Sequence, residues 1–135
     1  MSVFDVAIIG GGLAGKSTAI HLLQKGYSVL ILEKSKSNKS IHCAGGMAAS
    51  VKNYLPLNIE KAIETEIKRV HFTWRNDDPI LAELSGESPF LIVNRKNLDT
   101  ILTKEVNRFG AIILFSINVE SLKLRDSLND KVEWM

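Results

Sequence analysis

The sequence predicts an α/β fold: a parallel βαβ unit that carries an antiparallel β insertion. Three observations point there. An apolar run stops at three glycines and leads, through an amphipathic stretch, to a second apolar run. Period-two alternation interrupts this pattern near residue 70. A second capped helix then leads to a further apolar run. At 135 residues the chain fits one domain of the usual size, about 100–200 residues.

Composition narrows the class. Hydrophobic residues are 45% and charged residues 24%, so a core can be built and the disordered class is excluded. A net charge of +2 lacks the clustered Lys and Arg that a nucleic-acid binder needs, so no nucleic acid is expected as a partner. One cysteine excludes a disulfide framework and Cys-rich zinc sites. No apolar run reaches the roughly 20 residues of a membrane-spanning helix. The N-terminus has no basic stretch before its apolar run and does not read as a signal peptide. A soluble, cytoplasmic domain is the expectation.

The elements follow in order. Val6–Ile9 is continuously apolar, as in a parallel strand buried on both faces. Residues 14–25 read as a helix with Ala19, Ile20, Leu22 and Leu23 on its apolar face, and Gly26 stands where a left-handed cap belongs. Val29–Leu32 is the second buried strand, so the first 33 residues read as a right-handed βαβ unit. Lys34, Lys36 and Lys39 mark a solvated loop around Ser35 to Ser40. His42 to Ser50 is nearly all small side chains, and Ile59, Ile63 and Ile67, spaced by four, suggest a short helix.

Val70, Phe72 and Trp74 alternate with polar residues, as on a half-exposed strand whose aromatic side packs beneath a sheet. Asn76 to Pro79 reads as a turn, and residues 80–84 and 90–93 as further strands of an antiparallel insertion at about 68–93. Asn94 can cap a helix over residues 95–109, with Leu98, Ile101, Leu102, Val106 and Phe109 inward and Gly110 ending it. Ala111–Phe115 is another buried strand. Residues 119–124 and 132–135 look like the arms of a hairpin.

Gly10-x-Gly12-x-x-Gly15 follows a strand and opens a helix. In a dinucleotide fold the first glycine permits the turn, the second lets the backbone approach a pyrophosphate, and the third lets helix and strand pack closely. The anion meets the N–H groups and positive end of the helix. The same residues also satisfy a phosphate-loop pattern, Gly10-x-x-x-x-Gly15-Lys16-Ser17. Context favours the dinucleotide. Glu33 ends the second strand 18 residues after Gly15, where an acid binds ribose hydroxyls, and a triphosphatase has no need of it. No later apolar strand ends in Asp to hold magnesium. On this reading Lys16 and Ser17 are ordinary helix residues. Glu33 also repels a 2′-phosphate, which disfavours NADP at this position.

Asp5 to Gly15, followed by Glu33-Lys34, resembles the N-terminus of FAD-dependent oxidoreductases built like p-hydroxybenzoate hydroxylase. Within that group the chain is most similar to the geranylgeranyl reductase family. Cys43-Ala44-Gly45-Gly46-Met47 resembles that family's Cys-Gly loop, with Ala44 where glycine is common, and Val93 to Asp99 resembles its Arg-x-x-Leu-Asp helix start. The resemblance covers essentially the whole chain. It implies a Rossmann-like FAD-binding domain over residues 1–135, incomplete, with the substrate domain outside the chain. It places Gly10, Gly12, Ala14 and Gly15 at the pyrophosphate and Glu33, followed by Lys34, at the adenosine ribose. Cys43, Ala44 and Gly46 would pass near the flavin, Arg95 would reach the cofactor, and the strand around Val119 would flank the adenine. Cys43 also reads as a small buried hydrophobe, and Arg95 as a surface ion-pair partner. His21, His42 and His71 lack metal-ligand spacing, and only His42 lies beside the cofactor loop.

The resemblance implies reduction of carbon–carbon double bonds in prenyl chains, with FAD as cofactor and NADPH as the electron donor. It implies a prenylated or lipid substrate, possible peripheral membrane contact, and a C-terminal half or partner chain that supplies the rest. No catalytic residue is identified. A flavin monooxygenase of the same fold and a non-catalytic nucleotide-binding remnant are the alternatives. The family's later Gly-Asp segment, which returns a strand beside Val6–Ile9, is not in these 135 residues. An uncovered apolar edge promotes aggregation. This chain by itself is therefore expected to be marginally stable and to bind FAD weakly. Equilibrium unfolding and an FAD titration check this, and tight FAD binding by a well-behaved 135-residue monomer contradicts it.

Overall fold

A computed structural model of the chain describes residues 3–37, 43–56, 59–83 and 85–122. Strand β1 (Val6–Ile9), helix α1 (Leu13–Gln24) and strand β2 (Val29–Glu33) form the expected βαβ unit. β1 pairs in parallel with β2, Val6 opposite Val29 and Ile9 opposite Leu32. Asp5 clasps the start of this pair: its carboxylate accepts from the backbone N–H and the hydroxyl of Ser28 at 2.8 and 2.7 Å. Helix α2 (Arg95–Arg108) leads to strand β8 (Ile112–Phe115), which lies parallel to β2 on the other side. The order β1-β2-β8 makes β2 central and leaves β1 at an edge.

Both steps, β1 to β2 and on to β8, move the same way along the sheet. Right-handed crossovers then put α1 and α2 on the same face. Val29 and Ile31 of β2 are buried beneath them with Ala19, Ile20, Leu98, Leu102 and Val106. On the opposite face Ile9, Ile112 and Leu114 are exposed. Burial on both faces, expected from the continuous apolar runs, is found along central β2, where Leu30 is half-buried and Leu32 buried on this second face, and not at Ile9 of β1 or at Ile112 and Leu114 of β8. An apolar run shows that a strand is suited to burial, but what covers its second face is a matter of topology.

The antiparallel part is wider than the alternating stretch. Strands β3 (Gly46–Ala48) and β4 (Ile63–Ile67) flank β7 (Phe90–Val93), which pairs with both. The short helix expected from Ile59, Ile63 and Ile67 is instead a 3₁₀ turn, Ile59–Ala62, followed by β4. A spacing of four is even, so the pattern fits one side of a strand as readily as one side of a helix; here a bulge between Ile63 and Thr65 sets Ile63 opposite Val93 and Ile67 opposite Phe90, on different sides of the sheet. Strands β5 (Arg69–Trp74) and β6 (Asp77–Glu83) form a separate two-stranded hairpin. Its turn is at Arg75 and Asn76, both at positive φ as a tight hairpin requires, and not over residues 76–79. Pro79 lies inside β6, tolerated because β6 pairs on one side only. Phe72 and Trp74 do not pack beneath a sheet. They are 57% and 71% exposed, because β5 and β6 pair only with each other.

α2 begins as expected: the Asn94 side chain accepts from the Asn97 N–H at 3.0 Å. Among the described residues after β8, 116–122, no strand is found, where one was expected from residue 119. Ser116 turns the chain at φ 59, and Val119 lies in irregular chain. His42, Lys39 and the proposed second hairpin arm at 132–135 fall outside the described residues. Among the described residues no helix is long and apolar enough to cross a membrane.

Loss of the cap in Asn94→Ala is expected to cost about 1 kcal/mol. Leu102→Ala, in the fully buried helix face, is expected to cost about 2–5 kcal/mol. Urea unfolding midpoints measure both, with a substitution at exposed Ile80 as the reference within about 0.5 kcal/mol.

Candidate cofactor site

The glycine turn joins the carboxyl end of β1 to α1. Gly10 donates to the Leu32 carbonyl at 2.8 Å, one last rung of the β1–β2 ladder, and then turns at φ +102, which a side chain rarely tolerates. Gly15 sits so close to this turn that a Cβ on it would overlap the Gly10 carbonyl oxygen. Gly12 differs from both. It caps α1 in an extended conformation, and a Cβ on it would meet nothing within 4 Å. No side chain caps α1, and no acidic residue lies in its first turn. The first helical bond runs from Lys16 N–H to the Gly12 carbonyl, so the N–H groups of Leu13, Ala14 and Gly15 have no intrahelical acceptor. Ala14 is exposed beside them. This is the open positive end of a helix, suited to an anion.

Glu33 closes the other side. Its residue is buried at 5% exposure, yet both carboxylate oxygens are engaged. One accepts from the Gly11 N–H at 2.7 Å and the other from the Ser35 N–H at 2.8 Å. A carboxylate oxygen can accept more than one hydrogen bond. Lys34 follows, exposed, on the bend. After β8, Ile117 donates to the Glu33 carbonyl at 3.1 Å, which brings the segment leading to half-buried Val119 beside the end of β2.

The small-residue loop belongs to a second group. Cys43 and Ala44 are exposed. Gly45 is buried at φ +82, and a Cβ there would overlap the Val93 carbonyl oxygen. The Val93 N–H donates to the Gly45 carbonyl at 2.9 Å, and Gly46 opens β3 opposite Ile92. The loop is thus sewn to the residue just before Asn94 and Arg95. Arg95, the first residue of α2, is half-buried, and among the described residues no hydrogen bond or ion pair of its side chain is found. Because α1 and α2 both precede parallel strands, both start at the carboxyl edge of the sheet, where ligands of open α/β sheets bind.

Lys16 joins the two groups, and it is no ordinary helix residue. It is 2% exposed, and its ammonium contacts the Asp99 carboxylate in α2 at 2.6 Å. Ser17 also has a specific role, donating to the Tyr54 carbonyl at 2.6 Å. A lysine committed to α2 is not extended over the glycine turn, so the arrangement is that of a dinucleotide turn and not of a phosphate loop. Gly45 and Asp99 both stand inside the sequence motifs, but neither is assigned a role by them. The signal for Gly45 was present in a run of small residues; no signal marked Asp99 as the partner of Lys16.

Comparison with known families agrees with this geometry. The family described as FAD dependent oxidoreductase matches residues 5–132. The chain belongs to this family. Among curated relatives, digeranylgeranylglycerophospholipid reductase 2 of Methanothermobacter thermautotrophicus is 31% identical over 115 residues, covering 82% of this chain and 29% of that protein. The structure of a geranylgeranyl bacteriochlorophyll reductase-like protein of Thermoplasma acidophilum superposes with a TM-score of 0.69 at 21% identity, over 84% of this chain and 30% of the other. The myxobacterial FAD-dependent halogenase CndH superposes at 0.75 with 21% identity, over 93% of this chain and 31% of the other. At such identities the structural likeness is one of fold: the Rossmann-like FAD-binding fold of these oxidoreductases. The chain spans between 29% and 31% of the length of these relatives.

Gly15→Ala and Gly45→Ala are each expected to destabilise the fold by more than about 2 kcal/mol, because the added methyl meets backbone that cannot yield. Gly12→Ala, with open space around it, is expected to cost less than about 1 kcal/mol. Thermal and urea unfolding of the three variants measure the contrast.

Proposed function

We propose that this chain binds FAD within an oxidoreductase that reduces carbon–carbon double bonds of prenyl chains. The observation that carries the cofactor reading is the pairing of an uncapped, glycine-opened helix start with a buried carboxylate ending the neighbouring strand. Gly10, Gly12, Ala14 and Gly15 would hold the pyrophosphate, with the N–H groups of the first turn donating to it. Glu33, beside Lys34, would accept from ribose hydroxyls while its two backbone bonds keep it oriented. Cys43, Ala44 and Gly46 would let main chain approach the flat flavin, and Arg95 offers a planar fork to an anionic oxygen. Val119 would lie along the adenine. When bound, FAD supplies hydride transfer; the chain's own residues bind it, orient it and exclude water from its buried side.

The prenyl reading rests on the archaeal reductase relative and on the Cys43 loop. NADPH is the proposed donor, and a prenylated lipid the proposed substrate. Such a substrate favours peripheral contact with a membrane, from the cytoplasm. The substrate pocket would come from a further C-terminal part or a partner chain. A monooxygenase of the same fold is the second reading, favoured by the range of flavoenzymes that share this fold.

Purified protein carrying FAD should be reduced by NADPH without oxygen. It should then be reoxidised by a polyprenyl lipid, with mass spectrometry showing two added hydrogens per double bond. Reoxidation only by oxygen, with hydroxylated product, selects the monooxygenase. Gly12→Ala should leave the fold intact and weaken FAD by about tenfold or more in a fluorescence titration, about 1.4 kcal/mol. Unchanged affinity would remove the glycine turn from the site.

A further inference from the structure

Lys16 is the only buried cation among the described residues, and its place is an expensive one. It stands in the first turn of α1, where the helix dipole disfavours positive charge, and burial strips the ammonium of water. A leucine or methionine would fill the same helix–sheet space without either cost. What compensates is Asp99, in contact at 2.6 Å and itself 31% exposed at the side chain.

Asp99 lies one helical turn after Arg95, at i+4, on the same side of α2. The ion pair therefore joins the first turn of α1 to the first turn and a half of α2. These two helix starts share the carboxyl edge of the sheet. One follows the glycine turn directly; the other begins with Arg95, a half-buried guanidinium without a partner among the described residues. The pair is also neutral as a unit, so it adds no net charge to compete with Arg95 for an anion.

Resting on the FAD reading, we infer that Lys16 and Asp99 are positioning residues of the cofactor site. They hold the start of α2 against the glycine turn, so that Arg95 is presented to the anionic part of the bound dinucleotide. Their effect on binding passes through Arg95 and not through contact of their own.

The test is a cycle of FAD affinities, read by flavin fluorescence on the full protein. The four forms are wild type, Arg95→Ala, Lys16→Met/Asp99→Leu, and the triple variant. Removing both charges together strands neither, so the double variant is expected to fold. Arg95→Ala should weaken FAD by about tenfold or more in the wild-type background. In the double-variant background the same change should cost less than about twofold, the limit of additivity for uncoupled sites. Equal losses in both backgrounds would make the pair purely structural and overturn the inference, whatever the melting temperatures do. No effect of Arg95→Ala in wild type overturns it too, while leaving FAD binding intact. Failure of the wild-type protein to bind FAD would instead overturn the cofactor reading beneath it. If the double variant does not fold, Lys16→Met/Asp99→Asn replaces it: the link is removed, no charge is stranded and the shape at residue 99 is kept, and a reduced Arg95 effect again supports positioning, an unchanged one opposes it.

Discussion

The arrangement depends on one close approach: the Cα of Gly15 lies against the carbonyl of Gly10 with no room for a side chain between them. This contact brings α1 down onto the end of β1. The helix then starts immediately beside the strand's last ladder bond, Gly10 to Leu32, and its unpaired N–H groups open at the sheet's carboxyl edge. The buried Glu33 carboxylate reaches across to Gly11 from the neighbouring strand and fixes the turn from the other side. A wider helix–strand spacing would break this bond and move the helix start away from the strand end. The close packing of one glycine thus sets the geometry of the anion site to which its own N–H belongs.

A second constraint comes from handedness. Two right-handed crossovers in the same direction place both helices on one face of a three-stranded sheet. That face forms a dense core of Ala19, Val29, Ile31, Leu98, Leu102 and Val106. The other face keeps Ile9, Ile112 and Leu114 exposed, and β1 remains an edge. The same handedness puts both helix starts, the one after the glycine turn and the one that begins with Arg95, at one edge of the sheet although 80 residues separate Gly15 from Arg95. The Gly45–Val93 packing brings the small-residue loop to the same place, and the Lys16–Asp99 pair ties the two halves.

Much of this was legible in the chain itself. α1, β2, α2 and β8 have local signals that agree with one another: apolar period, a capping Asn94, and glycines past both helix ends. The βαβ unit and Glu33 could be read because the fold demands particular residues at particular spacings. The misreadings share a cause. The spacing of Ile59, Ile63 and Ile67 fits a helix and an even-numbered strand side equally well, and only pairing with β7 decides. Phe72 and Trp74 alternate like core residues, yet both side chains are exposed.

By itself, then, the sequence determined the class of fold, the order of the parallel elements and the glycine turn with its acidic partner. These depend on backbone sterics and on short-range periodicity, which residue types report directly. The tertiary structure alone decided that the sheet is covered on one face, that Gly45 must be glycine, and that Lys16 is buried against Asp99. The first depends on how the helices cross over, and the other two on segments 48 and 83 residues apart meeting in space. No local pattern carries that information, because a lysine that will be paired in a core looks the same in sequence as one that will face water.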